Sequence, residues 1–426
     1  MRRRYLLSLV AGLAGCGARP AADGPAATGT SEDTFGVPLS ADATYGYTYL
    51  RPDGNRFAAG RGRVPDASPV DVSLSAPVEW VVAAPEDAGP ATVWGVLMAD
   101  SGVRALRVDG CSVTDITPVT ANGEGPPLLV SNDGRVRLLN AGSAFSHPTP
   151  IPNGAATVDR YDTTLSVPGG PLEVEAIPDA RVVVADGLVY VLGKATDRYA
   201  HGVLGDEIEG GAVAVVDPRT RDVRYLRPES GVIEDTKPIV TDVDGDGDLE
   251  VLVPVSDADR GTRLVTFRPG GGVEATGPPV GTGYRWRHQI AVGPFGPGGE
   301  REIAAVRTPH LGGVAEFYRA DGDEIRLVAT RDGGYASHRS GSRNLDMAAA
   351  GDFDGDGRPE LLVPGGDGRR LVALRRTDGG VAEAWTVPVG GRLRTNVAAA
   401  AGERGLTLGV GRGETLRLWP AGDAGC

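Results

Sequence analysis

Two nine-residue segments carry the residues best suited to ionic chemistry: Asp242-Val-Asp-Gly-Asp-Gly-Asp-Leu-Glu250 and Asp352-Phe-Asp-Gly-Asp-Gly-Arg-Pro-Glu360. Both place acids at positions 1, 3, 5 and 9 and glycine at position 6. Carboxylates on alternate residues of a tight turn can converge on a hard cation, and Ca²⁺, with its many oxygen ligands and flexible geometry, suits them better than octahedral Mg²⁺. Asp242, Asp244, Asp246 and Glu250, and likewise Asp352, Asp354, Asp356 and Glu360, would supply side chains. Asp248 and Arg358 at position 7 would lend backbone carbonyls, and Gly247 and Gly357 permit the turn. A solvated acidic turn is the alternative for either copy, but the repeated spacing favours two Ca²⁺ sites.

These are not EF-hands, which need a bidentate glutamate at position 12 and flanking helices. Position 12 is Val253 or Val363, and the flanks Pro238-Ile-Val-Thr, Leu249-Glu-Val-Leu-Val253, Leu345-Asp-Met-Ala-Ala and Glu360-Leu-Leu-Val363 are strand-like. The arrangement of strand, DxDGDGxxE loop and strand resembles the FG-GAP or VCBS-type repeat of integrin-like β-propellers. The explicit match covers about 15 residues per copy. Between the copies, a segment around Phe295 aligns without gaps, with Pro294, Gly296 and Gly298 in place of the three aspartates and Glu302 at position 9. It keeps the turn and loses the ion site.

Other strand pairs are read at Val78 to Ala99, Leu128 to Leu139, Ala180 to Gly193 and Thr395 to Val410. The strands after successive turns start near Thr92, Leu128, Leu188, Leu249, Arg301, Glu360 and Leu406, on average about 52 residues apart, close to the roughly 50 of a kelch-type blade. The expectation is an all-β, seven-bladed propeller over residues 69–426, with an irregular segment at 35–68. The 64 glycines and 32 prolines in 426 residues, with no amphipathic helical period, agree. The last blade runs out at Leu416-Arg-Leu-Trp419, so Val70-Asp-Val-Ser-Leu74 is expected to complete it.

Residues 1–15 read as a signal peptide ending in Leu13-Ala-Gly-Cys16, which resembles a lipobox. Cys16 would carry lipid, 16–34 would be a flexible tether, and the apolar core is too short to span a bilayer. Arg2-Arg-Arg leaves export by the general or the twin-arginine route open. The mature chain should be exported and held at the outer face of the cell membrane by its lipid alone. There Cys111 and Cys426 could form a disulfide that staples the ring, or stay as two thiols. Net charge is −13, with only Lys194 and Lys237 among otherwise arginine bases. That excludes nucleic acid as a natural partner and suits a saline habitat. A monomer is expected.

The resemblance puts the calcium loops on one face. Loops on the other then hold Arg198-Tyr-Ala-His201, Arg285-Trp286-Arg287-His288, His310, His338-Arg339 and Arg343, with Asp235-Thr-Lys237 nearby. Such a ring could bind a protein, glycan or anionic ligand through guanidinium forks and ring stacking, or simply hold polar loop residues that bond one another. The reading is a surface binding or adhesion module. The alternative is an extracytoplasmic lyase or hydrolase with a His/Arg/aromatic centre, although no local catalytic motif is present.

Overall fold

A computed structural model describes residues 43–120, 125–140, 146–159, 161–199, 201, 206–283 and 285–421. Cys16, Cys426, the signal and the tether lie outside the described residues. Within them the chain is all-β, with no helix, hence none long and apolar enough to cross a membrane. The strands form seven hydrogen-bonded sheets in a propeller-like arrangement. One, nine-stranded, is two meanders joined through a single parallel pair, Thr276 with Glu324. Counting those separately, eight successive sheet units occupy the described residues, one more than the seven expected. The unexpected one, Thr149–Leu172, has strands of three to five residues, too short to show alternation in sequence. The aspartate loops therefore belong to the fifth and seventh units, and the metal-free copy to the sixth.

Burial follows position within a unit. Second strands such as Thr92–Met98 and Glu250–Ser256 are buried at every residue, sandwiched between neighbouring units. The fourth strand of the first unit, Ser112–Ile116, is largely exposed. Apolar clusters join neighbouring units from the third round through the eighth and first to the second, and the first unit packs on the eighth through Val81, Trp94, Ala398 and Leu418. Glycine makes the approach possible: a Cβ on Gly409 would lie 2.3 Å from the Trp94 ring. Val70–Ser73 pairs antiparallel with Thr415–Leu418, completing the last unit as read from sequence.

The segment expected to be irregular, 35–68, is structured from residue 43 onward and threads the middle of the molecule. Thr44–Gly46 pairs with Leu129–Ser131 of the second unit. The chain then turns, and Pro52 and Asp53 carbonyls accept from Val184 and Val240 in the first strands of the fourth and fifth units. Asn55 exchanges hydrogen bonds with Val292 of the sixth, and Phe57–Arg61 runs parallel to the first strand of the seventh. Arg56 donates to the carbonyls of Thr48, Asp346 and Val397 at 2.8, 2.8 and 3.1 Å, and also to Ala348. His147 stacks on Tyr49 with ring centroids 5.0 Å apart, linking the second and third units. Thr44 enters beside Pro85, and the chain leaves where Gly62 and Val64 donate to Asp352 and Phe353. Both positions lie on the side of the aspartate loops, so this hairpin fills the channel from that side.

Candidate functional site

In each aspartate loop, oxygens of the first three carboxylates lie within 4.8 Å of one another: Asp242, Asp244 and Asp246, and Asp352, Asp354 and Asp356. Side chains hold the turn by accepting from backbone N–H groups two or three residues on, as in Gly245 N to Asp242 and Asp246 N to Asp244. Gly245, Gly247, Gly355 and Gly357 take φ of +93°, +97°, +81° and +88°, open only to glycine without strain. Glu250 and Glu360 accept from the backbone of Val243 and Phe353 at 2.7 and 3.0 Å. Burial pushes the Glu250 carboxyl up to about 7 and that of Glu360 to about 8, so both environments call for positive charge.

The first loop fits a cation: Asp244 and Asp246 make no ion pair among the described residues, and Arg301, which donates to the Asp242 backbone carbonyl at 2.9 Å, comes no nearer than 3.9 Å to its carboxylate. The second already contains one. Arg375 reaches Asp354 at 2.6 Å, Asp356 at 2.9 Å, and Glu360. Arg358 donates its side chain to the Arg376 carbonyl. For the metal-free copy, Glu302 is held by Arg319 and Arg376, each at 2.9 Å.

On the other side the structure brings together four of the five histidines. His338 lies 5.2 Å from His310 and 6.1 Å from His288 by ring centroids, and Trp286 stacks on His288 at 5.0 Å and meets His338 edge-on. His201 pairs with Glu234, whose other oxygen accepts from Ser256.

Two expectations need correction. Three of the histidines add little positive charge: burial lowers His310, holds His288 well below the ordinary imidazole value, and takes His338 down to about 3. Its arginines are also largely committed. Arg198 donates to the Gly231 carbonyl and Arg343 pairs with Asp179 and Asp206, leaving Arg285 and Arg339 exposed. Nor is Trp286 an open stacking platform, since it is buried and donates to the Glu234 carbonyl at 2.8 Å.

Sequence reading placed Asp235 near this face but missed the other acids. Asp179, Glu209, Glu234, Asp235 and Asp346 are buried here, and with Asp206 they outnumber Arg56, Arg181, Lys237 and Arg343. Burial, then Glu234, Asp179, Asp206 and Asp235, pushes Glu209 up to about 10. Burial also raises Asp179 and Asp235 to about 6. The one sequence signal was the long interval between the strands Leu188–Gly193 and Ala212–Val216, which supplies His201, Asp206 and Glu209. Chemically, the face offers the neutral imidazoles of His288 and His338, a carboxyl that keeps its proton in Glu209, and a carboxylate, Glu234, that orients His201.

No protein-family model matches the chain, and no curated protein matches it. Among solved structures, it resembles U3-55K at 10% identity, covering 84% of this chain and 99% of that one, TM-score 0.42. A mitotic checkpoint complex chain matches at 13% identity, 84% and 96% coverage, TM-score 0.39. XC5397 from Xanthomonas campestris, described as a gluconolactonase, matches at 15% identity, 86% and 96% coverage, TM-score 0.34.

Proposed function

We propose that the chain is an exported β-propeller of eight blades, stabilised by calcium in its FG-GAP-like aspartate loops and held at the outer membrane face by lipid on Cys16. It acts as a binding module, with the ligand taken on the histidine face. The observation that carries this reading is the hairpin of residues 44–64. It fills the channel from the calcium-loop side, while four histidines and six carboxylates gather at the opposite end. Cys111 is disulfide-bonded, which suits an oxidising compartment.

With most of its cations paired and the His288 and His338 imidazoles held neutral by burial, the face suits a neutral polyhydroxylated ligand such as a glycan better than an anion. Neutral imidazoles and carboxylates offer both donors and acceptors to sugar hydroxyls. A glycan array probed with the mature protein, beside His310→Ala and Glu234→Gln, tests this. Wild type should retain a saccharide class that both variants release; equal retention by all three would remove the site from this face.

One observation favours catalysis as a second reading. Glu209 keeps its proton at neutral pH while Glu234 orients His201, giving an acid and a base on one face. Turnover of an oligosaccharide that disappears in both Glu209→Gln and His201→Ala would select it.

A further inference from the structure

The three equivalent loops differ in how they neutralise one glutamate. In the fifth, sixth and seventh units that glutamate opens the second strand, and the third strand brings an arginine across from it. The pairs Val251 with Phe267, Ile303 with Tyr318 and Leu361 with Leu374 set Arg268, Arg319 and Arg375 one residue further on, opposite Glu250, Glu302 and Glu360. The glutamates are 4%, 0% and 0% exposed. A buried carboxylate needs a positive partner or a proton.

Arg319 and Arg375 turn in and meet their glutamates. Arg375 goes further, and its guanidinium lies among the oxygens of Asp354 and Asp356 that an ion would use. Arg268 instead pairs with Glu274 at 3.0 Å and is 64% exposed. Glu274 occupies the bulge residue of the fourth strand, where the other two units carry Val328 and Ala384. Neither of those can draw an arginine outward. The fifth unit is thus built to keep its arginine out of its loop.

We propose that the protein takes up a single divalent cation, in the loop Asp242 to Glu250, and that Arg375 is the permanent cation of the loop Asp352 to Glu360. This rests on the calcium reading above and narrows it from two ions to one. Both positive groups need the same oxygens, so an ion could enter the second loop only by expelling a guanidinium from two charge-assisted hydrogen bonds, to Asp354 and Glu360, and from its ion pair with Asp356.

The test is calorimetric titration of metal-free mature protein with CaCl₂. Wild type should bind one ion. Asp244→Asn should weaken uptake at least 100-fold, while Asp354→Asn leaves it unchanged. Arg375→Gln should gain a second site, and Glu274→Val should weaken the first by freeing Arg268 to reach Glu250. Two ions in wild type, loss of uptake in Asp354→Asn, or a single site in folded Arg375→Gln would overturn the assignment while leaving the calcium reading intact. No uptake and no shift in melting for wild type would overturn the calcium reading itself. If Arg375→Gln does not fold, the contrast between the two aspartate variants still decides.

Discussion

Arg56 and Asp346 meet at 3.1 Å with neither side chain more than 1% exposed, although 290 residues separate them. Burial alone would raise the Asp346 carboxyl, but Arg181, Arg56 and Lys237 hold it well below the ordinary carboxylate range. Removing one partner of a buried pair leaves uncompensated charge, at a cost of about 3–5 kcal/mol. Asp346→Ala should therefore lower the urea midpoint by that much stability with an unchanged slope. A midpoint equal to wild type would contradict the central role of this pair.

Chelation should destabilise the fold. At a hundredfold excess over its dissociation constant, one ion adds about 2.7 kcal/mol. EDTA should lower the melting temperature of wild type, and Asp244→Asn should melt at that lower temperature and ignore EDTA. Identical wild-type curves with and without chelator would remove the structural role of the ion.

Glu209 predicts a pH dependence of known sign. The folded chain keeps this carboxyl protonated up to about 10, whereas the unfolded chain releases the proton near 4.5. The stability it contributes is complete below about 4.5 and is lost progressively as pH rises toward 10. Glu209→Gln has no such proton, so its stability relative to wild type should climb between about pH 5 and pH 9, by at most about 1.4 kcal/mol per unit. A difference independent of pH in chemical denaturation would refute the raised carboxyl.

The partner of Cys111 is expected to be Cys426. Ala421 donates to Thr407 and Arg404 pairs with Asp109, so the end of the last unit lies beside the turn that holds Cys111. Peptide mapping without reductant should recover the Cys111–Cys426 pair, and Cys426→Ser should expose a thiol and cost about 2–4 kcal/mol. Recovery of Cys111 joined to Cys16 would contradict both the staple and the lipid anchor.

What could be read in the sequence was local or periodic. The loops Asp242 to Glu250 and Asp352 to Glu360 announce themselves because glycine and aspartate alternate within nine residues. The closing strand at Val70 was legible because the last unit visibly lacked a strand. The Thr149–Leu172 unit was missed because its strands are too short for alternation to show. The 44–64 hairpin was missed because its partners, from Ser131 to Val397, are far away in sequence. The histidines could be read onto one face, but not their protonation, since burial decides that of His338 and composition does not. Arg375 escaped notice because its place opposite Glu360 is a matter of strand register.

Both ends of the central hairpin leave on the same side, and this has a mechanical consequence. A pull on the chain at Thr44 runs along the strand Thr44–Gly46, in shear against Leu129–Ser131, so its hydrogen bonds bear load together rather than in turn. Behind them stands Arg56, bonded to four carbonyls around the axis. Force applied through the amino-terminal end is thus delivered to the middle of the molecule and shared among its units, and no single outer strand is peeled away.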